Sequence, residues 1–410
     1  MNPESGSDPV DAADARRRLP GLLALGLTVG TVNGMTRVAM PLYAVSLGAQ
    51  PWQVGLVGAF GYGGLVLLAL PLGGWIERYG GRILFVCGVL VAAALYLLLP
   101  LWPKVPGLLL GAALLGSVLP FRSVPVQTEF LVMLPHLDAS KAGWNRAAFT
   151  TGMFFVGPMA AAAVIAGLGF APLFQLAAVG MLVSALAGRR VLQGAPREPG
   201  PMAQVSFLQR LRAQWALLRQ SPELRRNMGI DFFTQMAVAY FLVFGLVLAV
   251  RQVGMSVQAA AGLVTLQGAV FVFTAFLGGR LLLKRSDNSQ YLLAFALLLA
   301  FALLLALGRV PALLWLGAAS LGLGAGVQGL ASTNRYAHLL RRHGRGPIGG
   351  LSALAAPLGG LLGAVGGGLV SQALGTRAGF GLLAAVYALL FVWQAQRIWR
   401  GRRNPESPAP

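Results

Sequence analysis

The 410 residues are 56% hydrophobic and only 11% charged. That is less than half the charge of an ordinary soluble domain, which excludes a soluble globular enzyme of normal composition. A net charge of +20 would suggest nucleic acid in a soluble chain, but here the basic residues lie between apolar runs, so no nucleic-acid partner is expected. The single cysteine, Cys87, rules out an intrachain disulfide and a thiolate metal cluster, and no metal site or cofactor is expected.

The chain begins with a polar tail, residues 1–19, ending in Arg16-Arg17-Arg18. The apolar run after it, 21–45, is too long for the 7–15-residue core of a signal peptide and is read as a retained first helix. Eleven further apolar segments follow, at 54–76, 83–101, 107–130, 147–168, 171–188, 228–250, 257–279, 290–308, 311–332, 347–371 and 377–396. Each approaches the roughly 20 residues that span a bilayer. They are apolar all round rather than striped, as lipid-embedded helices are.

The fold class expected is therefore all-α integral membrane, with twelve transmembrane helices. Residues 20–188 form a first half of six spans and 228–396 a second. Between them, 189–227 form a loop whose stretch 206–220 has Phe207, Leu211, Trp215 and Leu218 at helical spacing among arginines, as in a helix lying on an anionic membrane surface. A polar tail, 397–410, closes the chain. With the N-terminus in the cytoplasm, tails and loops on that side hold 26 of the 32 Lys and Arg residues, in accord with the positive-inside rule. Both termini are then cytoplasmic. Arginine outnumbers lysine 29 to 3, a bias that suggests a GC-rich bacterial genome and hence a bacterial inner membrane.

The halves carry traces of duplication. Gly48 precedes a stretch that is similar to the one following Gly254, 206 residues on, and LGG recurs at 72–74 and 277–279. Two parallel six-helix repeats around a central cavity are a transporter architecture.

Between spans 2 and 3 the chain reads GGWIERYGGR, residues 73–82. Gly73, Glu77, Arg78, Gly80 and Arg82 match the spacing of the signature loop of the major facilitator superfamily, usually G-x-x-x-D-R/K-x-G-R-R/K, and the chain is identified as a member of that family. Glu77 stands where Asp is usual, Gly81 where Arg is common, and Ile83 where a basic residue would end the motif. The second-half counterpart, Gly279 to Arg285, lacks the acid. The resemblance implies a secondary transporter that rocks one half against the other, with Glu77, Arg78 and Arg82 in a cytoplasmic switch. Gly157-Pro158 in span 5 partly resembles the G-P motif of proton-driven exporters, with alanines in place of the paired glycines that follow it. Pro357 in span 11 is followed by Gly359-Gly360.

Polar residues inside membrane spans are costly and mark functional positions. Asn33 and Arg37 lie one turn apart in span 1 and could hold an anion; Arg37 alternatively snorkels to the outer headgroups. In span 4, Arg122 and Glu129 share a helical face, with Pro120 and Pro125 loosening the helix between outer and inner ends. Arg122 either couples protonation to movement or pairs with Glu129 or Glu77. An arginine here is similar to a second exporter motif, but Gln127 falls one residue late. Asp231 and Gln235 open span 7, where Asp231 is expected to stabilise the helix N-terminus as a conformational residue. Gln127 and Gln235 are expected at the cavity, and Gln267 and Gln328 are expected to line the cavity or bridge helices. The motifs of ATP-driven transport and membrane-bound hydrolysis are absent. The expectation is a secondary transporter, not an enzyme, working as a monomer on a small molecule, with proton-coupled efflux of an anionic or amphipathic compound foremost. A nutrient uptake permease and a non-transporting sensor of the same fold remain alternatives.

Overall fold

The computed structural model describes residues 12–133, 136–137, 144–192, 216, 218–282, 286–343 and 345–403. These build twelve helices: α1 (Ala12–Ser46), α2 (Pro51–Tyr79), α3 (Gly81–Leu98), α4 (Val105–Met133), α5 (Trp144–Leu168), α6 (Phe170–Val191), α7 (Pro222–Tyr240, prolonged by π turns), α8 (Val257–Leu282), α9 (Asp287–Leu307), α10 (Pro311–His343), α11 (Arg345–Leu374) and α12 (Thr376–Arg403). Each contains a stretch long and apolar enough to cross a membrane. A backbone in hydrocarbon must satisfy its own N–H and C=O groups, and a helix does so within one segment. Leu67, Leu101, Leu307 and Leu389, each more than 70% exposed, mark the outward surface that lipid would cover.

All twelve spans expected from the apolar runs are present, but several helices run past the membrane edge. α1 begins at Ala12, so Arg16, Arg17 and Arg18 form its first turns rather than a tail. α4 runs unbroken through Pro120 and Pro125 to Met133. Pro120 lacks an N–H for the carbonyl of Gly116, and it is at Gly116 that α2 comes closest, with its Gly64 and Phe60 backbone leaving no space for a side chain. The amphipathic stretch 206–220 lies, apart from residues 216 and 218–220, outside the described residues.

Packing repeats between the halves. α1 packs on α5, α2 on α4, and α3 on α4 and α6; α7 packs on α11, α8 on α10, and α9 on α10 and α12. Adding six to each helix number turns the first set into the second. The halves join through α2 against α11 and α5 against α8, a pair that the same operation exchanges. The turn glycines repeat too. Gly48 and Gly254, with φ of 77° and 72°, follow α1 and α7; Gly169 and Gly375, at 88° and 87°, link α5 to α6 and α11 to α12. Both pairs are 206 residues apart, and only glycine adopts such φ values without strain.

Among the described residues, contacts across the two halves lie from the middle of the helices towards the face opposite the termini. The Arg251 guanidinium donates to the carbonyl of Val45 at 2.7 Å. The first turns of α2 press on the far end of α11, where Gly368 meets the backbone of Trp52 and Gly55. At mid-depth, Phe154 of α5 and Phe271 of α8 have ring centroids 6.2 Å apart.

Candidate functional site

A cavity of about 380 Å³ is walled by α1, α2, α3, α4 and α5 of the first half and by α7 of the second. Most of its wall is apolar, including Met40, Leu65, Leu115, Phe149, Leu242 and Val243, against few polar groups: Asn33, Thr36, Arg37, Tyr62, Tyr96, Arg122 and Ser123. A mainly apolar concavity with a few convergent polar groups is the usual form of a small-molecule site. A second cavity of about 360 Å³ shares Arg122, Ser123 and Phe149 with the first and reaches Gln127, Asn145 and Arg146, at the terminal-face end of α5. The two together run from mid-membrane towards the face that carries the termini.

Close helix packing sets the wall. Gly30 and Gly34 of α1 face the backbone of Phe149 and Met153, and Gly152 and Gly157 of α5 face that of Leu27 and Thr31, so neither helix could carry a side chain at these points. Such small-residue seams let membrane helices approach closely. Pro158 cannot donate to the carbonyl of Phe154, and α5 widens to a π turn at Gly152–Val156 just before it. That turn directs Met153 into the cavity lining.

Asn33 and Arg37 both face the cavity, as their four-residue spacing requires. The Arg37 guanidinium carbon sits 5.9 Å from the centroid of the Tyr62 ring, so this arginine turns inward rather than to the headgroups. The Tyr62 hydroxyl accepts from Gln235 Nε2 of the second half at 3.4 Å. Arg122 is 3% exposed. Its Nη1 donates to the Tyr96 hydroxyl at 3.2 Å and lies 3.6 Å from Met181 Sδ, while its Nε has no partner. Among the described residues, neither arginine has a carboxylate within salt-bridge distance.

Glu129 does not pair with Arg122. It takes Arg18 instead, with Nη2 at 2.6 Å from Oε1. Arg18 Nε also donates to the carbonyl of Val191 at 3.1 Å, and Arg82 Nε donates to that of Leu192 at 2.7 Å. Arg18, Arg82 and Glu129 thus fasten α1, α3 and α4 around the C-terminus of α6, whose last carbonyls have no intrahelical donors. All these contacts fall within the first half. In the sequence Arg18 reads as part of a polar tail, because α1 continues past the apolar run, where nothing in the apolar pattern reports it. Arg78 is exposed, with its guanidinium 5.3 Å from the Tyr79 ring. Gly80, at φ 84°, makes the one-residue turn from α2 to α3, its N–H capping Ile76. Gly73 is a helical position in α2. The side chain of Glu77 and the second-half residues 283–285 lie outside the described residues.

In the second half, Asp231 is not at the helix N-terminus. It lies nine residues into α7 and accepts from Gln328 Nε2 (2.6 Å), Ser332 Oγ (2.7 Å) and Tyr336 Oη (2.7 Å), all on α10. Gln328 is therefore engaged between α7 and α10 and does not line the cavity. Gln267 is buried in α8, its Oε1 without a partner, and Gln235 borders the cavity only through Tyr62. Pro357 sits inside α11, next to the seam where Gly359 meets the backbone of Phe232.

Twelve membrane-crossing helices in two interlocking six-helix sets around a central cavity define a transporter fold. The Major Facilitator Superfamily description matches residues 22–351, and the chain belongs to that family. It is thus a multi-pass membrane protein of a transporter family whose members carry small molecules, rather than an enzyme family. No curated protein matches the sequence at a significant level. Among solved structures, a mutant of the nucleoside transporter NupG is similar at a TM-score of 0.80 and 14% identity, over 92% of this chain and 99% of that one. NupG itself gives 0.73 at 13% identity, over 92% and 98%. A bacterial homologue of the human lysosomal transporter Spinster, in an inward-facing and unoccupied conformation, gives 0.66 at 14% identity, over 95% and 94%. Identities this low speak to the fold alone.

Proposed function

We propose that the chain carries a small organic anion across the bacterial inner membrane by alternating access, exporting it in exchange for protons, with both termini in the cytoplasm and one chain sufficing. The observation that carries this reading is the pair Arg37 and Arg122: two guanidinium groups on one mainly apolar cavity, without a carboxylate partner among the described residues. Unpaired charge in low dielectric is costly, and a carboxylate or phosphate substrate would supply the missing counter-charge with bidentate geometry. The apolar wall suits an amphipathic body on such an anion. Among the described residues, cross-half contacts lie away from the terminal face, and the cavities run towards that face, in keeping with a state open to the cytoplasm. Arg122 within α4 and Gly157-Pro158 beside the π turn of α5 support the proton-coupled direction, as positions similar to those of proton-driven exporters.

The test is transport by the purified protein in sealed vesicles under an imposed proton gradient. Accumulation of labelled organic anions that collapses with the gradient and is lost in Arg122→Gln supports the reading. Movement of cations only, or transport indifferent to the gradient, overturns the substrate class or the coupling respectively.

A further inference from the structure

Away from the central cavity, a groove of about 680 Å³ opens between α7 and α12 near the terminal face. One wall is apolar and faces outward: Leu389 is 72% exposed and Trp393 42%, with Val386 and Phe233 beside them. The other is strongly basic, with Arg225, Arg226 and Arg397 against one acid, Glu223.

Arg226 is the central group. Its Nη2 donates to Asn288 Oδ1 and Gln394 Oε1, both at 3.1 Å. Its guanidinium carbon lies 5.3 Å from the Trp393 ring and 5.5 Å from that of Tyr291. Its Nε and Nη1 are buried and have no partner. Nη2 is thus fixed by the protein, while Nε and Nη1, on the two edges either side of it, each keep a donor without a partner. A buried donor left unpaired is costly, and a phosphate oxygen would supply it with a charge-assisted acceptor.

We propose that this groove binds an anionic phospholipid of the leaflet on the terminal face, its phosphate on Arg226 and Arg225 and an acyl chain along Leu389 and Trp393. The outward apolar wall favours a lipid over a free anion, since inorganic phosphate would leave it uncovered. Basic pockets between membrane helices are a recurrent setting for such headgroups. The lipid would bridge α7 and α12.

The experiment uses the full chain in phosphatidylcholine vesicles and reads tryptophan fluorescence. Phosphatidylglycerol with brominated acyl chains should quench more than brominated phosphatidylcholine at equal mole fraction, and Trp393→Phe should remove the excess. Arg226→Gln should weaken the phosphatidylglycerol preference at least five-fold, the effect of roughly one basic contact. Arg225→Gln, at an exposed side chain with no role in packing, should weaken it in the same direction if Arg226→Gln fails to fold. Equal quenching by both lipids, or an excess untouched by Trp393→Phe, would overturn the proposal. Heat stabilisation of the detergent-solubilised protein by inorganic phosphate but not by phosphatidylglycerol would reassign the groove to a free anion.

Discussion

Replacing Arg122 by leucine should make the protein more stable and less active. The arginine is 3% exposed, its Nε has no partner, and its one oxygen acceptor is a neutral hydroxyl, Tyr96, at 3.2 Å. Among the described residues its charge is therefore desolvated without a counter-charge. Leucine fits the neighbouring Leu119, Leu115 and Tyr96, and its cost is the Tyr96 hydroxyl left alone, about 1 kcal/mol. Substituting well-packed apolar groups for buried charge commonly gains about 1–4 kcal/mol. Spread over 410 residues, with roughly 2 cal/mol/K of unfolding entropy per residue, that is a rise of about 1–5 °C in melting temperature. The assay is thermal unfolding in detergent followed by tryptophan fluorescence, paired with vesicle transport. A variant that melts several degrees lower would refute the reasoning, because it would mean that Arg122 has a stabilising partner in the resting protein.

Two further substitutions probe the scaffold. Glu129→Gln should destabilise by about 1–3 kcal/mol, because Arg18, 14% exposed, loses its partner at 2.6 Å and keeps only the more exposed Asp14 at 3.4 Å as a carboxylate. In a double-mutant cycle with Arg18→Gln the two losses should fall short of additivity by at least 0.5 kcal/mol, and strict additivity would exclude the pair. Gly34→Val should cost about 1–3 kcal/mol or more by forcing α1 from the backbone of Met153, seen as a lower melting temperature and lost transport; a variant with parental values would mean that the α1–α5 seam is loose.

The sequence discloses the spans because lipid demands apolar residues on every side of a helix, so length and composition suffice. The duplication is visible for a related reason: Gly48 and Gly254 occupy turns that need positive φ, and the chain has kept glycine at both. Arg37 and Asn33 were legible as cavity residues through their spacing on one helix. Rotation of a helix about its own axis is a different matter. Gln328 reads either as a cavity residue or as a bridge between helices, and it serves Asp231 as a bridge; the sequence cannot choose, because which face of α10 turns inward depends on its packing against α7 and α8. Arg18 was hidden likewise, since helix continuing beyond the membrane leaves no apolar trace. The ion pair of Glu129 went to it rather than to Arg122, which shares a face with Glu129 on α4 but turns to Tyr96, itself a cavity residue, and to Met181.

The anion site is tested most directly by ligand-dependent melting of the detergent-solubilised parent and of Arg37→Ala, across a panel of small organic anions, cations and neutral amphiphiles. A ligand at about 100 times its dissociation constant adds roughly 2.7 kcal/mol to the folded state. The account predicts that one class of anions raises the melting temperature of the parent, with the rise lost or greatly reduced in the variant. Stabilisation by cations or neutral compounds alone, equal in parent and variant, would contradict it.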